Sequence, residues 1–332
     1  MTNKGTIGIV GGGAWGTALA ETLCRAGRDV RLWARNAGVV GEINSQHTNA
    51  AYLPDVTLNP RLQATTDLAA VAALDLVLLV TPAQQMRTVI AGMRAAVKPS
   101  TPVVICSKGI EQATGKLLAD VLAETIPQAM PAVLSGPSFA RDVVRGLPAA
   151  LTIATSDPAL GRHLAERIGD RLFRLYWSDD LKGVQLGGAV KNVLAIAAGI
   201  LDGRGLGASA HAALVTRGFA ELRRFAEDQG ARPETLMGLS GLGDLLLTCG
   251  SAQSRNMSLG RTLGQGTPLA AILAGRKSVS EGVPTAAAVA AIAQARGLDL
   301  PVATAVAAIV AGTLSVDAAI EGLLSRPFKA ED

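Results

Sequence analysis

The stretch Ile7-Gly8-Ile9-Val10-Gly11-Gly12-Gly13-Ala14-Trp15-Gly16 restricts what this 332-residue chain can fold into more than any other segment. A β-branched run, Ile7 to Val10, reads as a buried strand that stops at consecutive glycines. From Ala14 onward, Ala14, Ala18, Leu19, Thr22, Leu23 and Ala26 recur at spacings of three and four, which predicts a helix. Gly27 ends it, and Val30-Arg31-Leu32-Trp33 reads as a second strand. Strand, glycine turn, helix and strand within about thirty residues form the βαβ unit in which G-x-G-x-x-G cradles a dinucleotide. Gly11 then makes the tight turn, Gly13 leaves an open approach for a pyrophosphate, and Gly16 lets the helix pack closely. The helix start at Ala14 offers free N–H groups and the positive end of a dipole. With 37 glycines in the chain the bare pattern can arise by chance, so its placement carries the argument. A ligand-free glycine turn is the competing reading.

About twenty residues beyond such a turn, NAD-selective folds carry an acid for the ribose 2′-hydroxyl. Here Ala34-Arg35-Asn36 follows the second strand, and no acid comes before Glu42. A guanidinium suits a 2′-phosphate, so Arg35 points to NADP(H) as the preferred cofactor and leaves NAD(H) open. A solvated arginine at a strand end is the alternative. The net charge of +4 is small for this length, and the basic residues are scattered, which favours a small anionic ligand over nucleic acid. Cys24, Cys106 and Cys249 are far apart and odd in number, without metal-ligand spacing. They read as buried thiols of a reducing cytoplasm, with no metal site. No leader pattern is recognised, and the apolar runs are short or broken by Asp75 or Lys191, so the chain is expected to be soluble and not membrane-spanning.

The chain in order predicts a helix and loops over residues 37–66, then a fully buried strand over 74–80 ended by Thr81-Pro82. A helix over 83–97 and a strand over 102–107 follow, with Lys108-Gly109 at the carboxyl end that faces the ligand crevice of a doubly wound sheet. A strand over 132–134 leads into the tight turn Ser135-Gly136-Pro137-Ser138-Phe139-Ala140. Strands over 151–155 and 172–176 flank a helix from Pro158 whose N-cap is Asp157. Strand signals stop there. The fold class is α/β: a Rossmann-like doubly wound domain over residues 1–183, followed by an all-α domain over 184–328.

In the helical half, Val190, Leu194, Ala197 and Leu201 share one face of a helix predicted over 184–199. Lys191 falls among Gly187, Ala195 and Ala198, where burial would lower its pKa and suit a general acid. A lysine snorkelling to the surface fits the same letters. Gly241-Leu242-Gly243-Asp244 sets a carboxylate at a glycine-rich turn. Ser254-Arg255-Asn256 places a hydroxyl and a guanidinium at a helix start, a natural phosphate site, although Arg255 by spacing alone is as well read as a surface residue. A polar turn spans 278–282, and two alanine-rich helices split between Gly297 and Pro301 complete the chain.

Taken together these segments resemble the bacterial-type NAD(P)-dependent glycerol-3-phosphate dehydrogenases. The matching stretches are residues 11–19, Ser107-Lys108-Gly109, residues 135–140, Leu186-Gly187-Gly188-Ala189-Val190-Lys191-Asn192-Val193, residues 238–248, Ser254-Arg255-Asn256 and residues 281–285, in order over almost the whole chain. The resemblance implies reversible hydride transfer that reduces dihydroxyacetone phosphate to sn-glycerol 3-phosphate for phospholipid synthesis. It implies Lys191 as proton donor, Asn192 and Asp244 holding that lysine and the substrate hydroxyls, and Lys108 polarising or binding the substrate. Gly136, Ser138, Ser254, Arg255 and Asn256 would line the substrate. The turn residues with Trp15, Arg35, Lys108, Ala140, Arg255, Val279 and Glu281 would contact the cofactor. Two rivals remain at this stage. One is a β-hydroxyacid or 6-phosphogluconate-type dehydrogenase on the same two-domain plan, and the other is a non-catalytic NADP-binding sensor. Oligomeric state is not legible, and a homodimer stays open.

Overall fold

Eight strands form one sheet: β1 (Ile7–Val10), β2 (Val30–Trp33), β3 (Gln63–Thr65), β4 (Leu76–Leu79), β5 (Pro102–Ile105), β6 (Met130–Ser135), β7 (Ala149–Ala154) and β8 (Phe173–Ser178). They are seen in a computed structural model that describes residues 5–275, 280–328 and 330. The spatial order is β3-β2-β1-β4-β5-β6-β7-β8, and every pair is parallel except β6 with β7. The order reverses between β1 and β4, the switch point at which a doubly wound sheet opens a ligand crevice. Apolar runs put the central strands there: β1 and β4 are buried along their whole length because helices cover both faces of the sheet.

Most strands fall where the apolar runs predict them. The exception is β3, whose three residues lie inside the segment read as helix and loops. Its sequence, Gln-Ala-Thr, buries only Ala64, because an edge strand needs one packed side chain and offers the rest to water.

The helical half begins directly at the sheet. Asp180, two residues past β8, accepts from the Gly183 N–H at 2.9 Å and caps a 23-residue helix, Leu181–Gly203. The helix is longer at both ends than the periodicity alone indicates, since the cap lies upstream of the first strongly periodic residue. Among the described residues it is the one helix long and apolar enough to cross a membrane, and it is buried inside the protein. A second helix, Arg255–Gly264, lies against it with glycines facing on both sides. A Cβ on Gly199 or Gly203 would run into the carbonyl oxygens of Met257 and Arg261; one on Gly260 or Gly264 would meet those of Ile196 and Ile200. The two backbones therefore touch, and the first turn of the second helix is brought against the middle of the first.

The alanine-rich helices Gly282–Arg296 and Pro301–Val310 close the other side of the central helix, with Gly297 in the left-handed conformation between them. The buried Glu221 carboxylate caps the second, accepting from Val302 and Ala303 N–H at 2.8 and 3.0 Å.

Candidate active site

Three charged side chains meet where the central helix passes the carboxyl end of the sheet. Lys191 is only 6 % exposed and donates to one oxygen of Asp244 and, at 2.8 Å, to the Thr248 hydroxyl. Lys108, just past β5, donates to the other Asp244 oxygen at 2.7 Å and to the Gly136 carbonyl at 2.8 Å. Asp244 itself is fully buried, so each of its oxygens is matched to an ammonium. Burial pushes the Lys191 pKa down to about 7; Asp244 opposes the shift, and the charge of Lys108 reinforces it. A lysine poised at that value can give or take a proton near neutrality.

Local backbone explains how Asp244 arrives there. The chain makes one wide π-helical turn over Leu239–Gly243, and Asp244 opens the helix Asp244–Cys249 that follows. Gly187 admits this turn against the central helix, since a Cβ there would stand 2.6 Å from the Ser240 carbonyl oxygen. Thr248 lies one helical turn after Asp244 and so reaches the same ammonium.

Asn192, next to Lys191, works on the other lysine. Its amide donates to the Lys108 backbone carbonyl at 3.1 Å and to Gly188 at 3.4 Å, and accepts from Asn256 at 2.9 Å. Asn256 in turn accepts from the Gly282 N–H at 3.1 Å. The expectation that Asn192 holds Lys191 is thereby corrected: consecutive helical side chains diverge by about 100°, and Asn192 instead ties the helix to the Lys108 loop. Ser254 caps its helix, accepting from Met257 N–H at 3.2 Å, and Arg255 stands exposed at the first helical position. Desolvation lowers the Arg255 pKa and Glu281 opposes the shift, yet a guanidinium stays cationic and can fork onto a phosphate or carboxylate. Glu281 lies within its electrostatic reach and accepts from the Ala83 N–H at 2.9 Å. Burial raises the Glu281 pKa, opposed by that N–H and by Arg255, while its second oxygen is buried without a hydrogen-bond partner among the described residues.

The glycine turn after β1 is built on close backbone approaches. Gly11 adopts φ +134°, which L side chains rarely take, and a Cβ on Gly16 would overlap the Gly11 carbonyl oxygen. Gly13 is the N-cap of the helix Ala14–Arg25, with nothing within 4 Å of where a Cβ would stand. An open, donor-lined helix start of this kind fits a pyrophosphate. Trp15 packs tilted against Phe173, ring centroids 6.4 Å apart. Arg35 is exposed just past β2, beside Asn36, which caps the next helix. Arg35 and Lys108 follow strands three places apart in the sheet, roughly 14 Å at ordinary strand spacing, a span suited to an extended dinucleotide. Gly136 takes φ +145°, its carbonyl accepts from Ser138 at 3.0 Å, and Ala140 starts the short helix that follows. Val279 lies outside the described residues.

Lys191, Asp244, Lys108, Gly136, Asn192 and Asn256 thus belong to one hydrogen-bonded network, with Ser138 joined through the Gly136 carbonyl. Thr248 was not singled out by sequence reasoning; its spacing of four from Asp244 on one helix was the available signal. The Glu281–Ala83 contact bridges residues 198 apart in the chain and has no local signature. Among the described residues no group of three or more His, Cys, Asp or Glu is placed to hold a metal.

Strand order, a glycine turn at its reversal and a buried lysine opposite the sheet's carboxyl ends define a two-part nicotinamide-nucleotide dehydrogenase. Ketopantoate reductase from Ralstonia eutropha shares this fold at TM-score 0.60 with 19% identity over 95% of this chain and 99% of that one, a likeness of architecture alone. The chain belongs to the NAD-dependent glycerol-3-phosphate dehydrogenase family, whose N-terminal profile matches residues 6–161 and whose C-terminal profile matches residues 180–321. It is 56% identical over 325 residues to glycerol-3-phosphate dehydrogenase [NAD(P)+] of Caulobacter vibrioides, covering 98% of both chains. The crystal structure of glycerol-3-phosphate dehydrogenase from Coxiella burnetii superposes at TM-score 0.93 with 38% identity, over 97% of this chain and 99% of that one.

Proposed function

We propose that this chain is an NAD(P)H-dependent glycerol-3-phosphate dehydrogenase that reduces dihydroxyacetone phosphate to sn-glycerol 3-phosphate, reversibly, in the cytoplasm. The observation that carries the reading is the Asp244 carboxylate held between Lys191 and Lys108 at the carboxyl end of the sheet. The bound nicotinamide supplies a hydride to C2 of the substrate. Lys191 gives the proton that the C2 oxygen needs as it becomes an alkoxide, and Asp244 with Thr248 aims the ammonium at it. Lys108 stabilises the same developing charge, its position set by Gly136 and Asn192. Arg255 and Asn256, with the Ser254-capped helix start, take the phosphate; Ser138 and Gly136 border the substrate. The glycine turn with Ala14 and Trp15 takes the pyrophosphate end, Arg35 the 2′-phosphate, and Ala140 and Glu281 flank the cofactor. Residues 1–183 form the nucleotide domain and 184–328 the substrate domain in this scheme.

The test is NADPH oxidation with dihydroxyacetone phosphate beside β-ketoacids and unphosphorylated dihydroxyacetone. Turnover is expected to be fast with the phosphoester, weak with unphosphorylated dihydroxyacetone and absent with the β-ketoacids. Turnover of a β-ketoacid at a comparable rate would overturn the substrate assignment, and no turnover with any of them would favour a sensor. Arg255→Ala is expected to raise the KM for dihydroxyacetone phosphate by tenfold or more, in line with about 1.5–3 kcal/mol for a charged hydrogen bond. Its effect on unphosphorylated dihydroxyacetone should be small.

A further inference from the structure

Asn49 belongs to none of these groups, yet it is fully buried. It lies in the loop after the helix Ala37–Gln46, and its side chain crosses to the glycine turn. Its Nδ2 donates to the Gly12 carbonyl at 3.0 Å and to the Thr17 hydroxyl at 2.9 Å. The loop is itself fixed on both sides of Asn49, because one oxygen of Glu42 accepts from the Thr48 hydroxyl at 2.8 Å and from the Ala50 N–H at 2.7 Å. The Asn49 carbonyl accepts from Tyr52 and Leu53 N–H at 3.1 and 2.8 Å.

A trans peptide points its C=O and its N–H in opposite directions, and none of the described peptide bonds is cis. Drawing the Gly12 carbonyl toward Asn49 therefore turns the Gly13 N–H the other way. Gly13 caps the first helix and borders open space. We infer that Asn49 is a positioning residue for the cofactor: it locks the Gly12–Gly13 peptide plane so that the Gly13 amide faces the nucleotide phosphates. It also keeps a carbonyl lone pair out of the field of those phosphates, where it would repel them. This rests on the proposed nucleotide-binding role of the turn.

Asn49→Asp keeps the shape and replaces the donor with an acceptor that opposes the Gly12 carbonyl. The dissociation constant for NADPH, read from its fluorescence on titration into the full chain, is expected to rise tenfold or more. Turnover at saturating NADPH and the KM for dihydroxyacetone phosphate should stay within about twofold, a split that general loosening of the fold does not produce. Glu42→Ala, at a half-buried position, frees the loop and should raise the same constant severalfold; it keeps the test alive if Asn49→Asp does not fold. In the double variant the two effects should not add, since both act on one peptide plane. NADPH affinity within twofold of the unmodified chain in both single variants would overturn the inference. Gly13→Glu separates this from the reading beneath it, because a carboxylate in the open approach should abolish NADPH binding if phosphates sit there. Unchanged binding in Gly13→Glu would sink the turn's role itself. Lost binding there with normal binding in Asn49→Asp and Glu42→Ala would sink only the positioning role.

Discussion

At the scale of single residues, Lys191 is decided by its surroundings more than by its type. A lysine among glycine and alanine on a buried helix loses its hydration, and the loss lowers the affinity for its proton. Asp244 returns part of that stabilisation without restoring an ordinary lysine. The sign of the pH response follows. Reduction needs the ammonium, so kcat/KM for dihydroxyacetone phosphate is expected to fall as pH rises through about 7, while oxidation of sn-glycerol 3-phosphate rises over the same interval. Parallel profiles in the two directions would contradict the proton-donor role. Lys191→Ala should lower turnover by about 10²–10⁴ and leave NADPH binding nearly unchanged. A variant keeping more than about a tenth of turnover would have lost no general acid.

At the scale of elements, much of the architecture was legible, and the failures share a cause. Central strands announce themselves because burial on both faces demands unbroken apolar runs, as in Leu76–Leu79. β3 does not, since a three-residue edge strand needs no such run. The π turn over Leu239–Gly243 reads in sequence as a glycine-rich loop, because its shape is set by the central helix against which it lies. Lys191 and Asp244 stand out by their local settings and the family resemblance, whereas the bonds that join them to each other and to Lys108 do not, because hydrogen bonds between residues 53 or 136 apart leave no periodic trace. The glycine-to-glycine contact of the central helix gives a prediction with a built-in control. Gly260→Ala drives a methyl into the Ile196 carbonyl and should cost about 1–3 kcal/mol, read as a lower urea midpoint. Gly322→Ala, in the helix Val316–Leu324 with nothing within 4 Å, should instead gain up to about 1 kcal/mol. Gain in both would show that helix propensity and not backbone contact governs Gly260, and loss in both would show that the cost is not specific to the helix contact.

At the scale of the whole molecule, the proposed cofactor contacts spread over several strand ends of the sheet, while the proposed proton chemistry is concentrated at one point of the helical half. Arg35 lies alone at the outer end of that spread, exposed and past β2. Arg35→Ala should cost on the order of tenfold in NADPH affinity and almost nothing in NADH affinity. The discrimination should shrink as salt is raised, because an exposed charge pair is screened. Equal affinity for both cofactors in the unmodified chain would remove the 2′-phosphate role and leave the chemistry at Lys191 untouched. The central helix carries a different consequence. Residues 183–200 are buried without interruption, enclosed by the sheet on one side and by helices on the others. No local fraying can expose their amides, so their exchange with deuterium must wait for the chain to come apart as a whole. On refolding, activity should then return in the same kinetic phase as their protection, making catalysis a clock for the last step of assembly.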